Sequence, residues 1–312
     1  MDFKQIEAFV NVIKYRSFSK AADVLFLTQP TISAHINSLE RELGVALIDR
    51  SNREALPTKQ GRLLFNYGLD MLNLRERALY DLKESISDMD FVFELQTSSV
   101  PGEYLLPPLL SSFRKEYPLT RFFLEQSDSA SVILSLIEGR SELGFTGNKG
   151  DSSLEYLPLI KDHMVLITPK TDKFLAIAGL SQNKGPLGYP YIKVKDFIEE
   201  AFIYREQGSG TMKELEEGLH GLGYSGKKLN AVMKINSMQA IKQAVACNMG
   251  VSIISRIAVE DGASKGDFIA FEIEELSFNR YFYLVHRKKG TLSPAAETFK
   301  RFTLGYFKGE GL

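Results

Sequence analysis

The chain has 312 residues, 44% of them hydrophobic and 25% charged, with a formal net charge of -1 and one cysteine. That length exceeds the needs of a lone DNA-binding module and leaves room for two or three cores, and the globular composition excludes a disordered chain. The near-neutral balance excludes a bulk positive field as the source of nucleic-acid affinity, and a single cysteine excludes an internal disulfide.

Phe3, Ile6, Phe9, Val10 and Ile13 are spaced helically among charges, which predicts a first helix over residues 1–15 rather than a secretory leader. No apolar run approaches the roughly 18 residues of a membrane span. A cytoplasmic protein without membrane contact is expected.

Residues 17–43 read SFSKAADVLFLTQPTISAHINSLEREL. This predicts two short helices joined by a turn at Phe26-Leu27-Thr28. Ser19 is the expected N-cap of the first, whose Ala21, Ala22 and Leu25 share one face. Thr28 caps the second, with Pro30 in its first turn, where a missing N–H costs nothing. Ile32, Ile36, Leu39 and Leu43 make an inward stripe, and Gly44 ends the helix. The opposite face carries Gln29, Thr31, Ser33, His35, Asn37 and Ser38, short polar side chains suited to base edges in a major groove. This is a helix-turn-helix signature whose second helix should read the DNA. His35 reads as a groove-edge or solvated histidine. Strands at 45–48 and 55–56 would flank a wing, with Arg50 and Arg53 as its cations for phosphate or minor groove.

The longer stretch SFSKAADVLFLTQPTISAHINSLERELGVALIDR resembles the N-terminal domain of the LysR-type transcriptional regulators. The likeness lies in Ser-Phe-Ser-x-Ala-Ala, Thr-Gln-Pro, Leu-Glu-x-Glu-Leu-Gly and the terminal Arg, and it continues through Leu56, Thr58 and Gly61. It implies that Gln29, Pro30, Thr31 and Ser33 face the groove. Ala34, Asn37 and Ser38 stand where relatives often carry Arg or Lys. The phosphate grip is therefore expected from Ser19 and Lys20, from Arg50 and Arg53, and from N–H groups at helix starts, Thr28 included.

Thr58 is the expected cap of a long helix to about residue 88. Leu64, Tyr67, Met71, Leu74 and Ala78 repeat at three or four residues, with Leu82 and Ile86 beyond. Such a near-heptad stripe fits a two-helix pair, or a helix packed on its own domain. The resemblance implies the former, a dimerisation helix.

From residue 91 the pattern alternates: strand 91–95, helix 102–117, strand 121–125, helix 131–138 capped by Ser129, and strand 143–146. This βαβαβ order predicts a largely parallel sheet. Strands 154–160 and 164–168 come next, and a second run of strands and helices extends to residue 254. Strands 268–273 and 280–286 and helix 293–306 are expected to return to the first lobe. Segments such as YLLPPLLSSFRKEYP and IEGRSELGFTG resemble the periplasmic-binding-protein-like effector domain of the same family, with Glu142 where relatives usually have Asp. The expected fold is thus α plus α/β. It comprises a winged helix-turn-helix (1–58), a linker helix (59–89) and a two-lobed α/β effector domain (90–312). Lobe I would span about 90–161 and 267–312, and lobe II 162–266.

Ligands of open α/β sheets bind at the carboxyl ends of strands. Those ends offer Thr97, Ser98 and Ser99, then Ser127 and Asp128 leading to Ser129, and Thr146. The second lobe adds Arg205, Gln207, Ser209, Gly210 and Thr211 at a helix start. Hydroxyls and free N–H groups there suit a small anion, with Arg205 as the one nearby cation if its side chain turns inward. Cys247, on the apolar side of a helix, is expected to be a buried small hydrophobe, with a redox sensor as the alternative. The four histidines are scattered, with no metal-spaced pair, cofactor motif or catalytic triad.

The sequence therefore points to a ligand-responsive regulator, with no catalytic activity and no cofactor. It would bind an interrupted inverted repeat in promoter DNA as a dimer or tetramer, with RNA polymerase as a further candidate partner. The alternative is a solute-binding or small-molecule-processing protein fused to a DNA-binding domain.

Overall fold

A computed structural model describes residues 1–49, 54–82, 91–181, 184–205, 210–224, 229–259, 266–278 and 280–309. Three helices open the chain: α1 (Phe3–Tyr15), α2 (Phe18–Val24) and α3 (Gln29–Leu43). The cap of α1 is a capping box between Asp2 and Gln5, and α2 is capped by Ser17 rather than the expected Ser19. Thr28 caps α3 as expected, and Gly44 ends it in the left-handed region at φ 67°. Ile6, Phe9, Val10, Val12 and Ile13 meet Ala21, Ala22, Ile32, Ile36 and Leu39 in one core. Two expected core positions face out instead: Phe3 is 49% and Leu43 39% exposed.

The wing strands are shorter than expected, β1 (Ile48–Asp49) and β2 (Leu56–Pro57), paired antiparallel. α4 (Lys59–Asp81), capped by Thr58, packs back on this domain through Phe65 and Gly68. Gly61 is required there: a Cβ would stand 1.9 Å from the Leu47 carbonyl oxygen. Leu64 is half-buried against the same core. Tyr67, Met71, Leu74, Ala78 and Leu82 are exposed, and Leu63, 61% exposed, joins their row. Ile86 lies outside the described residues.

In the C-terminal domain β3 (Val92–Ser98) runs into a π-helical turn and α5 (Leu106–Glu116). β4 (Arg121–Ser127), α6 (Ser129–Ile137), β5 (Gly144–Thr146), β6 (Leu154–Asp162) and β7 (Met164–Thr168) come after it. The cap of α6 is Asp128 rather than Ser129: its carboxylate accepts from the Ala130 and Ser131 amides at 2.9 and 3.0 Å. Next come α7 (Asp172–Leu180), β8 (Tyr191–Ile192), α8 (Val194–Phe197), β9 (Ala201–Arg205), α9 (Gly210–Gly221), β10 (Asn230–Ile235), α10 (Met238–Ala246) and β11 (Ser252–Ser255). The chain closes with β12 (Ile269–Ile273), β13 (Arg280–Arg287) and α11 (Pro294–Gly309).

Lobe I holds a five-stranded sheet in the order β4-β3-β5-β13-β6. Its first three strands are parallel, as expected, and β13 runs antiparallel to both β5 and β6. Lobe II holds the four-stranded sheet β11-β7-β12-β8 and the parallel pair β9–β10. Here β12 corrects an expectation. It pairs antiparallel with β7, so the chain returns to lobe I only at β13. Phe93, Phe113, Phe122 and Phe299 pack ring on ring in lobe I, while Phe174, Phe197, Phe202 and Phe271 fill lobe II. Cys247 is exposed rather than buried, because it follows the last turn of α10 as its C-cap.

Candidate reading face and effector cleft

On the DNA-binding domain the start of α3 projects outward. The Thr28 hydroxyl accepts from the Thr31 amide at 3.3 Å and lies 2.9 Å from the Thr31 hydroxyl. Ser19 donates to the side-chain oxygen of Gln29 at 3.3 Å, across the turn. That bond occupies the carboxamide oxygen and leaves its NH2 group directed away, the donor that an acceptor on a base edge would take. Lys20, Pro30 and Asn37 are exposed, while Thr31, Ser33 and His35 are half-buried on the same helix. Arg50 and Arg53 lie outside the described residues. Phe26, expected in the turn, is there at φ 54° and stands 95% exposed, which its apolar ring did not announce.

Between the lobes, Ser98, Ser99 and Ser129 of lobe I face Arg205, Gly210 and Thr211 of lobe II, with Asn148 and Arg280 at the sides. Arg205 turns inward and is 4% exposed, and its Nη2 donates to the Ser99 hydroxyl at 2.6 Å. It is not the one nearby cation. Arg280, 6% exposed, donates through Nε to Asp162 at 2.6 Å and through Nη1 to the Thr211 hydroxyl at 2.9 Å. Ser255 donates to the other Asp162 oxygen at 2.6 Å. A buried guanidinium is thus matched by a buried carboxylate on the crossing strands, as a charge withdrawn from water requires.

Three expected site residues sit behind the lining. Thr97 bonds the Ser98 carbonyl at 3.0 Å, Ser127 bonds the Asp128 carbonyl at 3.4 Å, and Thr146 accepts from the Asn148 amide at 3.2 Å. They shape the backbone that carries the lining residues. Gln207 and Ser209 lie outside the described residues.

The remaining space measures about 30 Å³, room for a water or two. A ligand larger than that does not fit unless the cleft widens. Charge around the cleft is tuned by its surroundings. Burial raises the Glu214 carboxyl above its usual range, against the pull of Arg280. Burial also acts to raise Asp128, but hydrogen bonds from Ser131 and Ala130 outweigh it and hold that carboxyl low. Among the described residues no group of three or more His, Cys, Asp or Glu is placed to hold a metal. No helix among them is long and apolar enough to cross a membrane.

A winged helix-turn-helix joined to a two-lobed domain with a polar interlobe cleft defines a ligand-responsive DNA-binding regulator. Residues 3–62 match the bacterial regulatory helix-turn-helix model of the lysR family, and residues 92–308 match the LysR substrate binding domain. The chain belongs to the LysR family of transcriptional regulators. It is 28% identical over 288 residues to the HTH-type transcriptional regulator CysL of Bacillus subtilis, covering 92% of this chain and 91% of the other. It is 30% identical over 298 residues to a probable RuBisCO transcriptional regulator of Trichormus variabilis, covering 93% and 84%. A full-length OxyR variant from Pseudomonas aeruginosa shares the fold at TM-score 0.77 and 16% identity, covering 99% and 95%. The effector binding domain of QuiR in complex with shikimate does so at TM-score 0.60 and 21% identity, covering 72% and 100%.

Proposed function

We propose that the protein binds an interrupted inverted repeat in promoter DNA as a dimer or tetramer, and that a small anion in the interlobe cleft alters the spacing of its reading heads. The observation that carries this reading is the convergence of two buried arginines, Arg205 and Arg280, with the Ser99 and Thr211 hydroxyls on one cleft. An entering carboxylate or oxyanion would take over the donors that now meet those hydroxyls, in a site dry enough for charge-assisted bonds to count. The effector binding domain of QuiR, solved in complex with shikimate, supports a small-molecule ligand. The protein acts in the cytoplasm, where its DNA lies, next to RNA polymerase, and it performs no catalytic step. Ligand binding changes DNA binding only through a difference in affinity between open and closed lobes.

A thermal-shift screen of sulfate, phosphate and small carboxylates tests the cleft, run on the parent, Arg205→Gln and Thr211→Val. Anions that alter duplex affinity should raise the parent's Tm and lose most of that rise in both variants. An effector that stabilises the variants as much as the parent binds elsewhere.

A further inference from the structure

The linker helix carries a polar row that neither DNA reading nor chain pairing uses. Asn66, Asp70, Asn73 and Arg77 recur at four, three and four residues, which places them on one face of α4. That face meets the short segment joining β13 to α11. The Thr291 amide donates to Asp70 at 2.9 Å, and Arg77 donates to the Leu292 carbonyl at 3.3 Å. Asn73 is 8% exposed in the middle of the helix, and its NH2 group donates to the Thr291 carbonyl at 2.6 Å and to Glu142 at 2.9 Å. Glu142 also accepts from the Ser293 amide at 2.8 Å and from its hydroxyl at 2.6 Å, at the start of α11. This one carboxylate therefore ties the linker helix, the last helix and the approach to β5 together.

β13 runs from the cleft to this seam. Arg280, bonded to Thr211, is its first residue, and Arg287, which donates to Asn66 at 3.4 Å, is its last. Eight residues of strand span about 23 Å. β13 pairs with β6 along its whole length, with a register shift between Phe282 and Tyr283, and with β5 over Tyr283–Val285, so it is an inner strand of the sheet that connects the two places directly.

We propose that Asp70, Asn73 and Glu142 are positioning residues that clamp the linker helix to lobe I, so that events at the Arg205–Arg280 cleft reach the reading head through β13 and this clamp. The proposal rests on the cleft being the effector site. A buried polar row is suited to the task, since its bonds are either made in one register or lost.

The test is a double-mutant cycle on the full chain. Affinity is measured by fluorescence anisotropy for the duplex that the parent selects from a random library. Arg205→Ala frees lobe II from Ser99 and perturbs the cleft, while Asn73→Ala opens the clamp. Sites this far apart ordinarily act additively, to within about twofold. The clamp predicts instead that Arg205→Ala changes duplex affinity in the parent and does so about fivefold less in the Asn73→Ala background. Asp70→Ala, which removes a different bond of the same seam, should give the same result and guards against an Asn73 variant that folds poorly. Additive effects with both seam variants overturn the clamp while leaving intact a cleft that binds anions in the thermal-shift screen. No effect of Arg205→Ala on the parent, together with no anion-dependent Tm shift, overturns the cleft reading itself, and the clamp with it.

Discussion

Gln29 is the residue on which DNA reading should depend most. Its oxygen is held by Ser19, so the NH2 group is oriented before DNA arrives, and a preset donor loses little freedom on binding. Gln29→Ala should weaken the selected duplex by about 1–3 kcal/mol and random duplex far less, as competition titrations at fixed salt would show. Equal losses on both would remove Gln29 from sequence reading. Its place at the start of α3 was legible in the sequence because capping, the Pro turn and the apolar stripe of α3 are all local. Arg280 was not legible. Its partner Asp162 lies 118 positions away, and only the register of β13 against β6 brings the two together. Glu142 was visible as a departure from the family, but its bonds to Asn73 and Ser293 are tertiary and no spacing announces them.

A single helix presents three faces at the next scale. α4 buries Phe65 and Gly68 on the winged helix, sets Asp70 and Asn73 against lobe I, and leaves Leu63, Tyr67, Met71, Leu74 and Leu82 uncovered. A row of exposed apolar side chains along five turns of helix is unusual for an isolated chain and suits the same row of a second copy. Met71→Glu combined with Leu74→Lys would place unpaired charges in that seam. Light scattering should then show loss of the dimer, with loss of tight binding to an inverted-repeat duplex; a double variant that keeps both would exclude this face. Periodicity alone did not separate the faces. Apolar residues of α4 lie both on the face packed on the winged helix and on the exposed face, so Leu64 fitted the near-heptad stripe yet packs on its own domain, and Leu63 did not fit yet is exposed. The same limit explains β12: a short apolar strand reads alike in either sheet, and only its pairing with β7 assigns it to lobe II.

Across the whole molecule, the reading head is seated on lobe I by charge as well as by the linker helix. Arg16 donates to both oxygens of Glu138 at 2.8 and 2.9 Å, while its own carbonyl receives the Ala55 amide beside the wing. Lys14 meets Glu94 at 2.6 Å. Burial works against its ammonium, but the bond and charge of Glu94 outweigh that and hold its pKa above the usual value. Gly139, at φ 67°, lies against Phe65 and Leu69 of α4, where a Cβ would stand 2.6 Å from the Phe65 ring. The Arg16 and Glu138 side chains are 38% and 29% exposed, so the pair is partly screened and contributes on the order of 1 kcal/mol at most. That is enough to shift a balance between docked and undocked heads, though not to fix it. Glu138→Arg, which replaces attraction by repulsion of both Arg16 and Arg140, should therefore shift that balance toward the undocked head and enlarge the radius of gyration in small-angle scattering at low salt. Adding Arg16→Glu restores opposite charges between positions 16 and 138 but sets like charges against Glu54 and Arg140, so it should return the chain part of the way to its parental size, whereas raised salt should loosen the parent and the double variant alike. If parent, single and double variants scatter identically at low salt, the head is not held on lobe I by this pair in solution.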